Sequence, residues 1–143
     1  MKNRRGKVLI IDPDSATAET FAQMLRLEGH DVRTAPDAQT GLVAARAFAP
    51  DAIVVGLRIP LEGRLGFIYR FRAQERDRVT PIAMVTGGCW PEEAVANDLD
   101  RLGVHLCSKP LWLDDLRSLA DVLLAAPWGP ARRVLILPPL PFA

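Results

Sequence analysis

The sequence predicts an α/β fold, a single open and parallel sheet with helices on both faces. Three observations carry this. Short apolar runs alternate with helical patterns at a regular pace, which is the rhythm of repeated βαβ units. The runs are almost continuously apolar, as strands covered on both faces are. At 143 residues, with 49% hydrophobic and 24% charged content, the chain is long enough for one well-buried core and too short for two.

The first strand is Lys7–Ile11, where the run Val8 to Ile11 stops at Asp12-Pro13-Asp14. A helix follows over Ser15–Glu28, with Ala18, Phe21, Ala22 and Leu25 on one face, Asp14 or Ser15 as its cap and Gly29 as its stop. The second strand is Asp31–Thr34, and the second helix, Ala38–Phe48, is entered from Pro36-Asp37 and ends before Pro50. Ala52–Leu57 makes the third strand. The third helix spans about Gly66 to Glu75 and turns Phe67, Ile68 and Phe71 inward. Glu62, Gly63 and Gly66 read as the loop before it. The fourth strand is Ile82–Thr86, and its helix has Pro91 at the first position and Glu92-Glu93 in the first turn, where the helix dipole favours negative charge. His105–Ser108 is the fifth strand and Leu113–Ala125 the fifth helix, with Leu113, Leu116, Leu119, Ala120, Leu123 and Leu124 on its apolar face.

These elements divide the chain into a basic leader (1–6), a domain (7–126) and a Pro-rich tail (127–143) that begins at Pro127-Trp128-Gly129-Pro130. In the tail, Val134 to Leu137 reads as a strand added to a sheet edge, as a linker stub, or as an unstructured end whose prolines keep it from pairing. The leader residues Lys2, Arg4, Arg5 and Lys7 are too few for a specific surface. The apolar run behind them is too short for a signal peptide or a membrane span.

The net charge of +1 conceals an asymmetry: the first 80 residues are mildly basic and the stretch from 81 to 126 is acidic. Binding to nucleic acid usually needs a dense basic stripe, so no nucleic-acid partner and no membrane partner is expected. An acidic face for a protein partner fits better. Two cysteines, Cys89 and Cys107, without metal-ligand spacing point to a reduced, cytoplasmic setting. Nucleophile elbows, H-E-x-x-H, G-x-G-x-x-G and phosphate-loop spacings are missing, so no enzyme is expected.

In a doubly wound sheet, chemistry gathers at the loops leaving the carboxyl ends of the strands. Those ends carry Asp12-Pro13-Asp14, Gly56, Thr86-Gly87-Gly88 and Lys109-Pro110. As a set, with Pro60 four residues past Gly56, they resemble the receiver domain of bacterial response regulators over about residues 7 to 125. The resemblance implies a flavodoxin-like (βα)5 three-layer sandwich whose five-stranded parallel sheet has the order 2-1-3-4-5. It also implies a site in which a first-strand acidic pair binds Mg²⁺, a third-strand aspartate accepts a phosphoryl group, and a fourth-strand hydroxyl and a fifth-strand lysine bond its oxygens. Asp12 matches the first acid, Thr86 the hydroxyl, Lys109 the cation and Pro110 its proline.

Three departures alter what the resemblance implies. Gly56 stands where the acceptor belongs, Pro13 replaces the second acid, and Leu106 takes the place of a switching aromatic. A site with Asp12 as its one certain carboxylate should bind Mg²⁺ weakly or not at all, and no cofactor is expected. Lys109, without an anionic neighbour at 56, is expected to pair with Asp12. The chain thus reads as a pseudo-receiver that signals by phosphorylation-independent contact with a kinase, regulator or output protein, or with a second copy of itself. The expected face is the fourth helix, fifth strand and fifth helix, with Glu92, Glu93, Asp98, Asp100, Leu106, Trp112, Asp114 and Asp115. Two other readings stay open: a small-ligand sensor using the vacated pocket, and an unorthodox phosphoacceptor using Asp12, Asp14 or Glu62.

Overall fold

A computed structural model describes residues 6–56, 58–75, 80–85, 92–107, 121 and 124. Within them the chain runs β1 (Lys7–Ile11), α1 (Ser15–Leu27), β2 (Asp31–Ala35), α2 (Ala38–Phe48), β3 (Ala52–Val55), α3 (Leu61–Gln74), β4 (Ile82–Val85), α4 (Glu93–Arg101) and β5 (Val104–Cys107). All neighbouring strands pair in parallel, in the order β2-β1-β3-β4-β5. This is the flavodoxin-like order expected from the sequence.

Strand side chains alternate between the two faces, so one apolar run feeds two cores. Val8, Ile10, Val54 and Val85 pack on one side with Ala18, Ala22 and Leu25 of α1 and with Leu124. Leu9, Ile11, Ile53, Val55 and Met84 point the other way, onto Phe48 of α2, Phe67, Ile68 and Phe71 of α3 and Leu99 of α4. α1 ends in a pair of crossed hydrogen bonds, Gly29 N–H to the Arg26 carbonyl at 2.9 Å and His30 N–H to the Leu25 carbonyl at 3.1 Å. That closure needs a left-handed residue, and Gly29 supplies it at φ 101°.

The third helix differs from expectation. It begins at Leu61, not near Gly66, so Glu62, Gly63 and Gly66 lie inside a helix and Pro60 immediately precedes it. The reason is the buried stripe Arg64, Phe67, Ile68 and Phe71, whose i, i+3, i+4, i+7 spacing starts on an arginine. In the fourth helix Glu92 is the capping residue and Glu93 the first helical one, while Pro91 lies outside the described residues. Of the fifth helix, only Asp121 and Leu124 are described, and both are helical. Leu57, Thr86 and Ser108, the expected ends of three strands, lie outside as well.

Candidate functional site

The carboxyl ends of β1 and β3 lie side by side, with Ile11 in register with Val55. Two hydrogen bonds continue the ladder past the strands: Gly56 N–H donates to the Ile11 carbonyl at 2.8 Å and Asp12 N–H to the Ala35 carbonyl at 2.9 Å. Asp12 and Gly56 are therefore fixed by backbone before any side chain acts.

The Asp12 side chain is buried, the residue being 8% exposed. Its Oδ1 accepts the Asp14 N–H at 2.8 Å, closing a turn around Pro13, which has no N–H to offer. Its Oδ2 leans over Gly56. A β-carbon at position 56 would stand 2.5 Å from Asp12 Oδ2 and 3.0 Å from both Asp12 Cγ and the Ile11 carbonyl oxygen. Gly56 is not required by its backbone angles, because its φ lies outside the left-handed region. Glycine is favoured by the close approach of this carboxylate and of the Ile11 carbonyl oxygen.

Asp14 caps α1. Its Oδ1 accepts from the Ala16 and Thr17 N–H groups and its Oδ2 from the Thr17 hydroxyl at 2.8 Å. These bonds, with the Thr17 hydroxyl foremost and the Arg58 charge adding to them, hold the carboxyl below its ordinary range.

Two arginines that sequence reasoning missed complete the edge. Arg58, two residues past Gly56, places Nη1 at 3.7 Å from Asp12 Oδ2 and 3.8 Å from Asp14 Oδ2. Arg64 reaches from α3 under the sheet edge, where Nη1 donates to the Val85 carbonyl and Nε has no partner among the described residues. Arg64 is 8% exposed, and burial lowers its pKa. An arginine just after a strand reads as solvated charge. One inside an apolar helical stripe breaks the pattern that would have revealed it.

Elsewhere the expected residues separate. Leu106, expected on the contact face, is buried at 4% exposure in the core beneath α3 and α4, because its β5 register turns it inward. Asp98 accepts from Tyr69 Oη of α3 at 3.4 Å and pairs with Arg101. Glu92 and Glu93 are exposed at the start of α4, Asp100 is half-buried and Glu62 is exposed on α3. Thr86, Lys109, Pro110, Trp112, Asp114 and Asp115 lie outside the described residues, so the expected Lys109–Asp12 pair does too. Among the described residues the cation beside Asp12 is Arg58. Among the described residues no group of three or more His, Cys, Asp or Glu side chains could hold a metal ion, and no helix is long and apolar enough to cross a membrane.

No family model matches the chain. Among curated proteins it is 29% identical over 118 residues to the transcriptional regulatory protein PrrA of Mycobacterium tuberculosis, covering 82% of this chain and 49% of that one. It is also 29% identical over 143 residues to protein-glutamate methylesterase/protein-glutamine glutaminase 1 of Anaeromyxobacter dehalogenans, covering 94% of this chain and 40% of that one. The chain thus spans less than half the length of either relative. Among solved structures, the chemotaxis response regulator CheY4 of Vibrio cholerae matches with a TM-score of 0.71 at 24% identity, covering 85% of this chain and 100% of that one. Relatives and shared fold together support a response-regulator receiver domain as the βα body of this chain.

Proposed function

We propose that this domain acts in two-component signalling as a pseudo-receiver, passing information by protein contact without aspartyl phosphorylation. One observation carries the reading. At the acceptor position there is no carboxylate, and the Asp12 carboxylate leans over the site, 2.5 Å from where a side chain at Gly56 would begin. A phosphoacceptor has to be open to in-line attack, and phosphoryl transfer depends on positioning and on charge neutralisation by a divalent ion. Two of the carboxylates that remain are engaged, Asp12 Oδ1 in the turn around Pro13 and Asp14 in capping α1, while Glu62 is exposed on α3.

The contact face is the exposed start of α4, with Glu92 and Glu93. Its acidity suits a basic patch on a kinase, regulator or output protein. PrrA is a transcriptional regulator, and a segment beyond this domain that binds DNA would put the output in the same polypeptide. The domain's own role would still be contact with protein.

Incubation of the chain with a small-molecule phosphodonor and Mg²⁺, followed by intact-mass measurement, tests the central claim. The expected result is no added phosphoryl group. A stoichiometric adduct on Asp12, Asp14 or Glu62, located by peptide mapping, overturns it.

A further inference from the structure

We propose that Arg58 is the resident counter-ion of this corner, occupying by a guanidinium the role that a divalent cation plays in receivers. The inference rests on reading the corner as a receiver's acidic site, and it goes beyond that reading by naming what neutralises the site.

A carboxylate as buried as Asp12 is unfavourable without a nearby opposite charge. Pro13 contributes no carboxylate, and Gly56 contributes none. Among the described residues the positive charge beside it comes from Arg58, whose Nη1 is almost equidistant from Asp12 Oδ2 and Asp14 Oδ2, at 3.7 and 3.8 Å. Arg58 is placed there by the β3–α3 connection: Gly56 is tied to β1 by its N–H, and its carbonyl accepts the Ile59 N–H at 3.4 Å, which turns Arg58 back toward the end of β1.

The donor set fits Mg²⁺ poorly while a guanidinium stands beside it. Mg²⁺ demands near-octahedral oxygen ligands at about 2.0–2.1 Å. Asp12 Oδ1 is held by the Asp14 N–H, and both Asp14 oxygens are held by the first turn of α1. A metal drawing on a second carboxylate would compete with the turn or the cap for its oxygens. A guanidinium breaks neither, because at these distances it acts through charge on the outward side of both groups. The Arg58 side chain is 54% exposed, so solvent screens the pair and its contribution to folding is small. Its effect belongs in cation affinity. A unit positive charge about 5 Å from a dication, even at the dielectric of water, weakens binding by roughly tenfold or more.

The experiment is calorimetric titration of MgCl₂, at fixed ionic strength, into the wild-type chain, Arg58→Gln and Arg58→Lys, with circular dichroism confirming the fold. Arg58→Gln is expected to bind Mg²⁺ at least tenfold more tightly than wild type, and Arg58→Lys, which keeps the charge, to match wild type. A ratio below tenfold between Arg58→Gln and wild type overturns the proposal, including the case in which neither protein binds. So does Arg58→Lys behaving like Arg58→Gln. The phosphodonor experiment reads mass on the unaltered chain, so failure of the pseudo-receiver reading and failure of this one appear in different measurements.

Discussion

At position 56 a side chain and a carboxylate compete for one volume. A β-carbon there would meet Asp12 Oδ2 at 2.5 Å and the Ile11 carbonyl oxygen at 3.0 Å. The first contact can relax by rotating Asp12. The second cannot, because Ile11 is fixed in the central strand pair. Gly56→Ala is therefore expected to destabilise the fold by about 1–3 kcal/mol, the usual range for inserting atoms into a packed site. In the Asp12→Ala background the same substitution should cost less, with a coupling of at least about 0.5 kcal/mol in a double-mutant cycle by denaturant unfolding. Full additivity would show that the carboxylate does not occupy this space. The same geometry bears on restoring an acceptor: Gly56→Asp would expel the Asp12 side chain, and Pro13 would still withhold the second acid.

At the scale of elements, legibility followed how purely each pattern was written. β1 and α2 match the sequence reading at both ends because each is bounded by a strong signal: Asp12-Pro13 stops β1, while Asp37 and Pro50 bracket α2. α3 was misread because Gly63 and Gly66 look like loop punctuation, and because the first member of its buried stripe is Arg64. Tertiary burial overrode both local signals. The site was half-legible for a related reason. Asp12 and Gly56 could be placed from the strand ends alone, whereas Arg58 acquires meaning only once the β3–α3 connection folds back toward β1. Asp14 serves two elements at once, as the α1 cap and as a partner of Arg58, and the two roles can be separated. Asp14→Ala removes both and should lower the melting temperature. Asp14→Asn keeps a capping oxygen and removes the charge, so it should retain most of that stability. If Asn proves as damaging as Ala in thermal melts, the ion pair and not the cap carries the contribution of Asp14.

Over the whole molecule, the two ends of the sheet do different work. The carboxyl edge holds Asp12, Gly56 and Arg58, while the amino edge is pinned by His30, which joins the start of β1 to the α1–β2 turn. Gly6 N–H donates to His30 Nδ1 at 3.2 Å, and the Gly6 carbonyl accepts the Asp31 N–H at 3.0 Å. The imidazole can accept that bond only while Nδ1 is unprotonated. Burial is the main influence and pushes its pKa below the ordinary 6.5; Asp121 and Glu28 pull against it without reversing the direction. In the unfolded chain the ring titrates at about 6.5. As pH falls through that value, the unfolded state takes up a proton before the folded state does, so stability is complete above about pH 6.5 and declines below it. The decline levels off once the pH passes the lower, folded pKa. His30→Gln keeps an acceptor for the Gly6 N–H and removes the titration. Denaturant unfolding of the wild type should therefore show a fall in stability between pH 7.5 and 5.5 that exceeds the fall in His30→Gln over the same range. Equal slopes in the two proteins would mean that His30 titrates alike in the folded and unfolded chain, and that its burial does not govern the acid response of the fold.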